Sequence, residues 1–294
     1  MRNILLGTDW WTDCDDAVAV RLLARAAKAG KIRLLGIGVN ACMEDSIASL
    51  DAFLHQEGIY GLPLGLDMEA TDFGGKLTYQ MRLAQNGVDC RKNADAEDAV
   101  ALYRRLIAQA DGMVEILEIG FPQVISRVLE SPADEHSPLS GVELFRQKVR
   151  KVWVMAGKWD EEGGREHNFC RTLRASHAAE VFCRLCPVAV TFLGWEIGAS
   201  VISGGKLPEG DLLHQVLCDH GSHNGRSSWD PMLVLMALVG DEEAAGYRVV
   251  RGKASVRAED GANFFAEAPD GLHGYVVKTH EDAFYQAWID RLIG

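Results

Sequence analysis

Short apolar runs alternate with segments of helical periodicity along most of this chain of 294 residues. The runs short enough to be buried strands lie at 4–6, 32–39, 114–119, 152–155 and 188–193. The helical patterns lie at 17–27, 47–55, 124–129, 177–185 and 231–239. Strands that alternate with helices indicate a largely parallel sheet with helices on both faces. The expected fold class is therefore α/β, with a Rossmann-like, mostly parallel central sheet.

The chain shows no internal repeat, low-complexity tract or Pro/Ser-rich linker, so residues 1–294 are predicted to form a single domain. Three segments lack periodicity and are predicted to be long polar loops, namely 64–95, 132–144 and 203–226. The tail, 246–294, is predicted to be rich in hairpins and to close with a helix at 281–292.

The charge balance limits the partners that this chain can attract. Thirty Lys and Arg residues against 42 Asp and Glu residues give a formal net charge of −12. Nucleic acids and anionic membranes are therefore excluded as partners, whereas a cation or a neutral polar ligand is compatible. The seven cysteines are scattered, the first apolar run is too short for a signal peptide, and no stretch is long enough to span a membrane. We expect a cytoplasmic protein.

Polar residues follow the predicted strands at the points where the strands end. Four carboxylates come directly after the first strand, at Asp9, Asp13, Asp15 and Asp16. Asn40 follows the second strand. Because ligands of parallel sheets bind beyond the carboxyl ends of the strands, these groups are expected to line one site.

The four carboxylates form the most informative cluster, because they would repel one another unless something neutralises them. A helix N-terminus would stabilise Asp15 and Asp16, but it does not account for Asp9 at the strand end. A hard divalent cation such as Ca²⁺ or Mg²⁺ would account for the whole set. The spacing excludes an EF-hand, and Trp11 stands where a DxD phosphatase would have its second aspartate.

The N-terminal segment 4–19, a strand followed by T-D-x-x-x-D-x-D-D-A-x-A and a helix, resembles the calcium-dependent nucleoside hydrolases of the inosine–uridine-preferring type. Four further matches follow in the order of that family: Asn40 in G-I-G-V-N, V-M-A-G at 154–157, E-H-N at 166–168 and W-D-P at 229–231. The matches extend over about four-fifths of the chain, from residue 4 to about residue 240.

The resemblance implies the nucleoside hydrolase fold, a role in purine metabolism, and an enzyme that releases base and ribose from a nucleoside. It also implies a homodimer or homotetramer. By the resemblance, the Ca²⁺ ligands would be Asp9, Asp16, Asp230 and the backbone carbonyl of Ile119. The sugar contacts would be Asp15, Asn40, Met155, Glu166 and Asn168, with Asp15, Asn40 and Asn168 on the ribose hydroxyls and Glu166 on the 5′-hydroxyl. Asp13 is additional to the shortest form of the motif.

The chemistry that the resemblance implies is coherent. Ca²⁺ would bind the vicinal ribose hydroxyls and one water, whose proton Asp9 would accept as the catalytic base. Cleavage would pass through an oxocarbenium-like state, which the carboxylates would stabilise electrostatically. Attack by a single water would invert the anomeric centre.

One departure from the family bears on the substrate. Uridine-accepting members have a His before the late Asp, whereas this chain has Trp229. An indole stacks on a purine but does not donate a proton usefully, so Trp229 favours purine ribosides. The other half of an aromatic sandwich could come from Trp10, Trp11, Trp159 or Trp195, for each of which plain packing is the alternative. The candidates for a replacement acid are His167, which is expected to point away, His220 and His223. Arg226 and Lys158 could contact a carboxylate or the substrate.

Three hypotheses remain open from the sequence. The first is a purine-preferring N-ribohydrolase. The second is a calcium-dependent hydrolase of another ribosyl compound, and the third is a protein that binds a nucleoside or sugar without cleaving it. A phosphohydrolase is disfavoured because a P-loop and a basic phosphate cradle are missing.

Overall fold

The structure is a computed structural model that describes residues 1–11 and 13–294. The described strands are β1 (Arg2–Thr8), β2 (Ile32–Val39), β3 (Leu64–Leu66), β4 (Glu97–Asp98), β5 (Val114–Glu118), β6 (Val149–Met155), β7 (Ala189–Leu193), β8 (Ile202–Ser203), β9 (Arg226–Ser227), β10 (Tyr247–Val256), β11 (Asn263–Glu267) and β12 (His273–Lys278). The described α-helices are α1 (Asp15–Lys28), α2 (Ser46–Gln56), α3 (Gln80–Asn86), α4 (Ala99–Gln109), α5 (Gln123–Glu130), α6 (Gly141–Lys148), α7 (His167–Cys170), α8 (Leu173–Leu185), α9 (Trp195–Gly198), α10 (Leu212–His220), α11 (Trp229–Val239) and α12 (Asp282–Ile293).

Ten strands form one sheet in the order β11-β10-β12-β7-β6-β5-β1-β2-β3-β4, and β8 pairs with β9 in a separate ribbon. β1 lies between β2 and β5 and is parallel to both. Within the described part of the large sheet, β10 runs in the direction opposite to the other nine strands. The parallel arrangement brings the carboxyl ends of β1, β2, β5 and β6 to the same edge.

Helices cover both faces of the sheet, and each face has its own hydrophobic core. Helices α1, α2, α10, α11 and α12 pack on one face, and their core includes Leu6, Trp153 and Met232. Helices α4, α5, α6 and α8 pack on the other face around Leu5 and Ile116. Leu5 and Leu6 point to opposite faces, as successive strand residues do. The predicted α/β fold with a mostly parallel central sheet is confirmed.

The predicted loop at 203–226 is wrong in part, because it contains α10. Asp211 begins this helix by accepting hydrogen bonds from the backbone N–H groups of Leu213 and His214. Leu213, Val216 and Leu217 are buried, with the spacing of one helix face. Polar residues between them hid this pattern in the sequence. The segment 64–95 likewise contains β3 and α3.

Within residues 1–11 and 13–294, no helix combines the length and the apolar character needed to cross a membrane.

Candidate active site

A cavity of about 240 Å³ opens at the carboxyl edge of the sheet. It lies beyond the ends of β1, β5 and β6, and the first turns of α1 and α11 form its base. Its lining residues are Asp9, Asp13, Asp15, Asp16, Ile119, Met155, Glu166, His167, Asn168, Trp195, Trp229 and Asp230. Nearly all of the side chains that the sequence assigned to a site therefore meet in one place.

Three buried aspartates meet where α1 packs against α11. One carboxylate oxygen from each of Asp15, Asp16 and Asp230 lies within 4.8 Å of the other two. The backbone N–H of Asp230 donates a hydrogen bond to Oδ2 of Asp15 at 3.1 Å, which ties the two helix starts together. Burial, followed by the charges of neighbouring aspartates, raises the pKa of all three carboxyls well above the usual value.

This group of oxygens fits a hard divalent cation. Asp9 and Ile119 line the same cavity, so a fourth carboxylate side chain and the residue with the predicted carbonyl ligand lie beside the three aspartates. Ca²⁺ and Mg²⁺ prefer such all-oxygen ligand sets. A bound cation would also remove the repulsion that raises the aspartate pKa values. The structure groups Asp15 with Asp16 and Asp230 at ligand spacing, although the sequence assigned Asp15 to ribose. Both roles of Asp15 stay predictions.

A tight turn after β1 fixes Asp9 and Asp16. Trp10 has a positive φ of 52°, an unusual conformation for a residue other than glycine. Its backbone N–H donates to Oγ1 of Thr8 at 3.0 Å and to Oδ1 of Asp16 at 3.3 Å, and the Thr8 hydroxyl also bonds to Asp16. The next N–H, from Trp11, donates to Oδ1 of Asp9 at 3.0 Å. The turn thus holds both carboxylates in defined positions.

The opposite wall holds the side chains predicted to contact the sugar. Glu166 accepts hydrogen bonds from the backbone N–H groups of Asn168 at 2.8 Å and Gly157 at 2.9 Å. The Asn168 amide donates to the carbonyls of Met155 at 2.9 Å and Ile119 at 3.5 Å. Burial raises the pKa of Glu166 to about 7, although its backbone hydrogen bonds act in the opposite direction. These contacts join the ends of β5 and β6 to the start of α7.

Two tryptophans and a histidine line the remaining wall. The rings of Trp195 and Trp229 are stacked, with centroids 6.5 Å apart and planes inclined by 29°. Nε1–H of Trp229 donates to the Trp195 carbonyl at 2.7 Å. Trp195 is 44% exposed, so an apolar ring surface faces solvent here. His167 also lines the cavity, contrary to the expectation that it would point away. Desolvation near Phe121, followed by the charge of Arg171, lowers the His167 pKa to about 4.

Asn40 is fully buried and is not among the residues that line the cavity. Its side-chain amide donates to Oε1 of Glu118 at 2.7 Å, and its Oδ1 accepts from the backbone N–H of Phe121 at 3.0 Å. Asn40 thereby joins the end of β2 to the turn after β5. Its predicted ribose contact stays a prediction. Glu118 was not predicted from the sequence as a site residue, although its position at the end of a strand was an available signal.

The remaining tryptophan candidates lie outside the cavity lining. Trp10 is fully buried, packs against Phe53 and Tyr79, and donates from Nε1 to Ser49. Trp11 belongs to a small buried cluster. Trp159 stacks on Tyr275. For these three residues the structure favours packing, and Trp195 is the partner that the structure brings to Trp229.

The four polar side chains that were candidates for a leaving-group acid or a substrate contact have different partners in the structure. Arg226 pairs with Asp13, with Nη2 and Oδ2 2.5 Å apart, and Nε2 of His220 lies 3.7 Å from Oδ1 of the same carboxylate. Lys158 pairs with two exposed acids, Asp160 and Glu161. His223 lies beside Asn224, with its Nε2 3.2 Å from Nδ2 of that residue. Of these four candidates, Arg226 and His220 are therefore linked to a cavity residue.

Comparison with solved structures identifies the fold. An inosine–uridine preferring nucleoside hydrolase from Bacillus anthracis aligns with a TM-score of 0.69 at 14% identity, covering 100% of this chain and 99% of that chain. The effector protein XOO4466 aligns with a TM-score of 0.69 at 13% identity, covering 99% of this chain and 93% of that chain. The type III effector protein XopQ, solved in complex with adenosine diphosphate ribose, aligns equally well at 12% identity, with the same coverages.

No protein-family model matches the sequence, and no curated protein matches it. The structural likeness nevertheless extends over the whole chain, so the predicted nucleoside hydrolase fold is confirmed.

Proposed function

We propose that this protein is a calcium-dependent N-glycosyl hydrolase that cleaves ribonucleosides to free base and ribose, with a preference for purine ribosides. The observation that carries the proposal is the meeting of Asp15, Asp16 and Asp230, with oxygens within 4.8 Å of one another, in a cavity that also contains Asp9. A divalent cation would neutralise buried carboxylates in such proximity, and the adjoining Glu166 and Asn168 would supply polar contacts for a sugar.

The residues that would hold Ca²⁺ are Asp16 and Asp230, the carbonyl of Ile119, and Asp9 or Asp15. When bound, the ion would orient the vicinal ribose hydroxyls and lower the pKa of the attacking water. The dense negative charge of these side chains has a second effect, because it favours the positive charge that develops on the sugar ring.

Asp9 is the proposed base that accepts the proton of the attacking water. The hydrogen bond from the Trp11 N–H to Oδ1 holds the Asp9 carboxylate in a defined orientation beside the proposed sugar site. Asn168 and Glu166, held by backbone hydrogen bonds, would fix the sugar. Met155 would exclude water beside it. Water attacks C1′ while the bond from C1′ to the base nitrogen breaks.

The departing base must gain a proton, and the histidines are poor donors at neutral pH. The pKa of His167 is lowered to about 4, so its imidazole is neutral at pH 7. Desolvation also lowers the pKa of His220, although Asp13 acts against it. We therefore propose that solvent protonates a purine stacked against Trp229, which suits purines because their ring nitrogens are readily protonated.

A second candidate keeps the calcium–ribose site but takes another ribosyl compound. The observation that favours it is the fold shared with XopQ, which was solved with adenosine diphosphate ribose. The buried carboxylates of the cavity would repel phosphates, so we rank this candidate below a nucleoside.

The test measures reducing-sugar release from inosine, adenosine, guanosine, uridine and cytidine with added Ca²⁺. Adenine release from adenosine diphosphate ribose is followed by chromatography in the same preparation. We expect release from the purine ribosides, and its loss in the Asp230→Ala variant. Asp270→Ala, an exposed aspartate far from the site in sequence, is the matched control and should retain activity.

The outcomes separate the candidates. Comparable release from uridine would contradict the purine preference. Adenine release from adenosine diphosphate ribose alone would favour the second candidate. A protein that binds inosine and Ca²⁺ but releases nothing from any compound would be a non-catalytic binding protein.

A further inference from the structure

Asp13 is the carboxylate of the acidic loop that the resemblance leaves without a role, and the structure gives it a specific partner. Nε of Arg226 lies 2.8 Å from Oδ1 and 3.0 Å from Oδ2 of Asp13, and Nη2 of Arg226 lies 2.5 Å from Oδ2. Two nitrogens of the guanidinium thus contact both oxygens of one carboxylate, which is the strong bidentate geometry. The pair is partly shielded, with side-chain exposures of 20% for Asp13 and 35% for Arg226.

The guanidinium of Arg226 also contacts Trp229, the ring on which the nucleobase is proposed to stack. Its Cζ lies 5.4 Å from the ring centroid of Trp229, within the range of a cation–π interaction. The Trp229 indole is also held at its edge, through the hydrogen bond from Nε1 to the Trp195 carbonyl. The ring orientation therefore depends on Trp195 at the edge and on Arg226 at the face.

The backbone around Arg226 is anchored independently of Asp13. Arg226 lies in β9, opposite Ser203 of β8, and the hydroxyls of Ser203 and Ser228 are 2.7 Å apart. The Arg226 side chain reaches from this ribbon to the acidic loop. Asp13 is thus connected through Arg226 to Trp229, while its own carboxylate lines the cavity.

We propose that Asp13 and Arg226 are positioning residues that set the affinity of the site for the base. The inference rests on the proposed function. Arg226, held by Asp13, fixes the Trp229 ring in the orientation that stacks on a neutral planar heterocycle such as a purine. Loss of either partner removes the contact at the face of the indole, so the ring can tilt about its hydrogen bond to Trp195, and the site loses affinity for the base and keeps affinity for the sugar.

The experiment compares inosine with D-ribose, which lacks the base. Binding to the calcium-loaded protein is measured by calorimetry in an Asp9→Asn background, where turnover does not interfere and an oxygen ligand remains. The variants are Arg226→Gln, Arg226→Lys, Asp13→Asn and the double variant Asp13→Asn/Arg226→Gln. Arg251→Gln, an exposed arginine on β10, is the matched control.

We expect Arg226→Gln to weaken inosine binding about tenfold and to leave ribose binding within about twofold. Arg226→Lys should lie between Arg226→Gln and the parent protein, because lysine keeps the charge but lacks the planar fork. In the double variant, the inosine-to-ribose affinity ratio should match that of Arg226→Gln, because the two residues act through one contact.

Three results would overturn the inference: an unchanged inosine-to-ribose ratio in Arg226→Gln, a parallel loss of inosine and ribose binding, or effects of the two substitutions that multiply. An absence of inosine binding by the parent protein would also overturn it. The proposed function is tested separately, by base release from inosine in the wild type. The expected binding pattern without base release would refute the hydrolase and leave the positioning role intact.

Discussion

Two glutamates on the same strand have opposite environments. Glu115 lies near the start of β5 and accepts hydrogen bonds from Arg2 at 2.8 Å and from Nε1 of Trp153 at 2.9 Å, with Arg150 3.0 Å away. These donors lower its pKa in spite of burial. Glu118, three residues later, contacts Asn40, Tyr103 and the Gly120 N–H, and burial raises its pKa to about 8.

The difference extends to the two edges of the sheet. At the amino edge, the chain supplies its own arginines, so Glu115 is part of the folded framework. At the carboxyl edge, Asp15, Asp16 and Asp230 crowd together, and burial, followed by the charges of neighbouring aspartates, raises their pKa values. The chain thus pairs the buried carboxylate of Glu115 with its own arginines at the amino edge of the sheet. At the carboxyl edge it brings three buried aspartates together, and such a cluster suits an external cation.

The largest expected effect comes from a substitution in the cluster of Asp15, Asp16 and Asp230. Asp16→Asn should lower inosine hydrolysis about 10³-fold, because it removes a proposed metal ligand and part of the negative charge that stabilises the transition state. The same substitution should stabilise the metal-free protein, since it relieves repulsion. The measurements are reducing-sugar release and urea unfolding in EGTA. A metal-free variant less stable than the wild type would show that the cluster is structural.

The second prediction tests the paired edge. Glu115→Ala should lower the free energy of unfolding by about 3 kcal/mol, because it leaves Arg2 without its buried partner. At a temperature where the variant is folded, inosine binding and turnover should stay within about twofold of the wild type. Urea unfolding and steady-state kinetics provide the check. A large loss of turnover in the folded variant would remove the distinction between the two edges.

The third prediction compares the two glutamates by the pH dependence of the free energy of unfolding. The folded pKa of Glu118, about 8, lies above its unfolded value, so the stability it contributes is present at low pH and is lost as the pH rises toward 8. The slope should be about 1 kcal/mol per pH unit between pH 5 and pH 8 in EGTA. Glu118→Gln should remove this slope relative to the wild type.

The pKa of Glu115 is shifted in the opposite direction, so this residue is the internal control for the pH comparison. Its pKa is lowered, so its contribution is present above the unfolded value and is lost as the pH falls through the folded value. Glu115→Gln should therefore change the pH dependence of the free energy of unfolding only at acid pH. Parallel unfolding curves for wild type and Glu118→Gln from pH 5 to pH 8 would contradict the account of Glu118.

The sequence predicted the fold class and the acidic part of the cavity from local order, because strands of a parallel sheet end at one edge and Asp9 follows β1. The other residues predicted to line the site, such as Met155, Glu166 and Asp230, came from the motif resemblance. The nucleoside hydrolase fold followed from the motif resemblance rather than from periodicity.

Contacts between distant loops could not be predicted in this way. Arg226 in the short strand β9 and Asp13 in the loop before α1 are separated by 213 residues along the chain. For Trp10 the sequence left a place in the site and plain packing both open; in the structure the residue has a positive φ and its indole packs in the core against Phe53. Burial raises the pKa of Glu118, and the residues that surround it, Asn40 and Tyr103, come from distant parts of the chain, so no local pattern records this shift.

The most direct test of the central claim is thermal unfolding of EGTA-treated protein with and without excess Ca²⁺. If the carboxyl-edge aspartates hold the ion, Ca²⁺ at about 100 times its Kd should raise the Tm of the wild type by about 5 °C. Asp16→Asn should lose most of that shift, and Glu115→Gln should retain it. A wild-type Tm that does not respond to Ca²⁺, or an equal shift in Asp16→Asn, would contradict a cation site at this edge of the sheet.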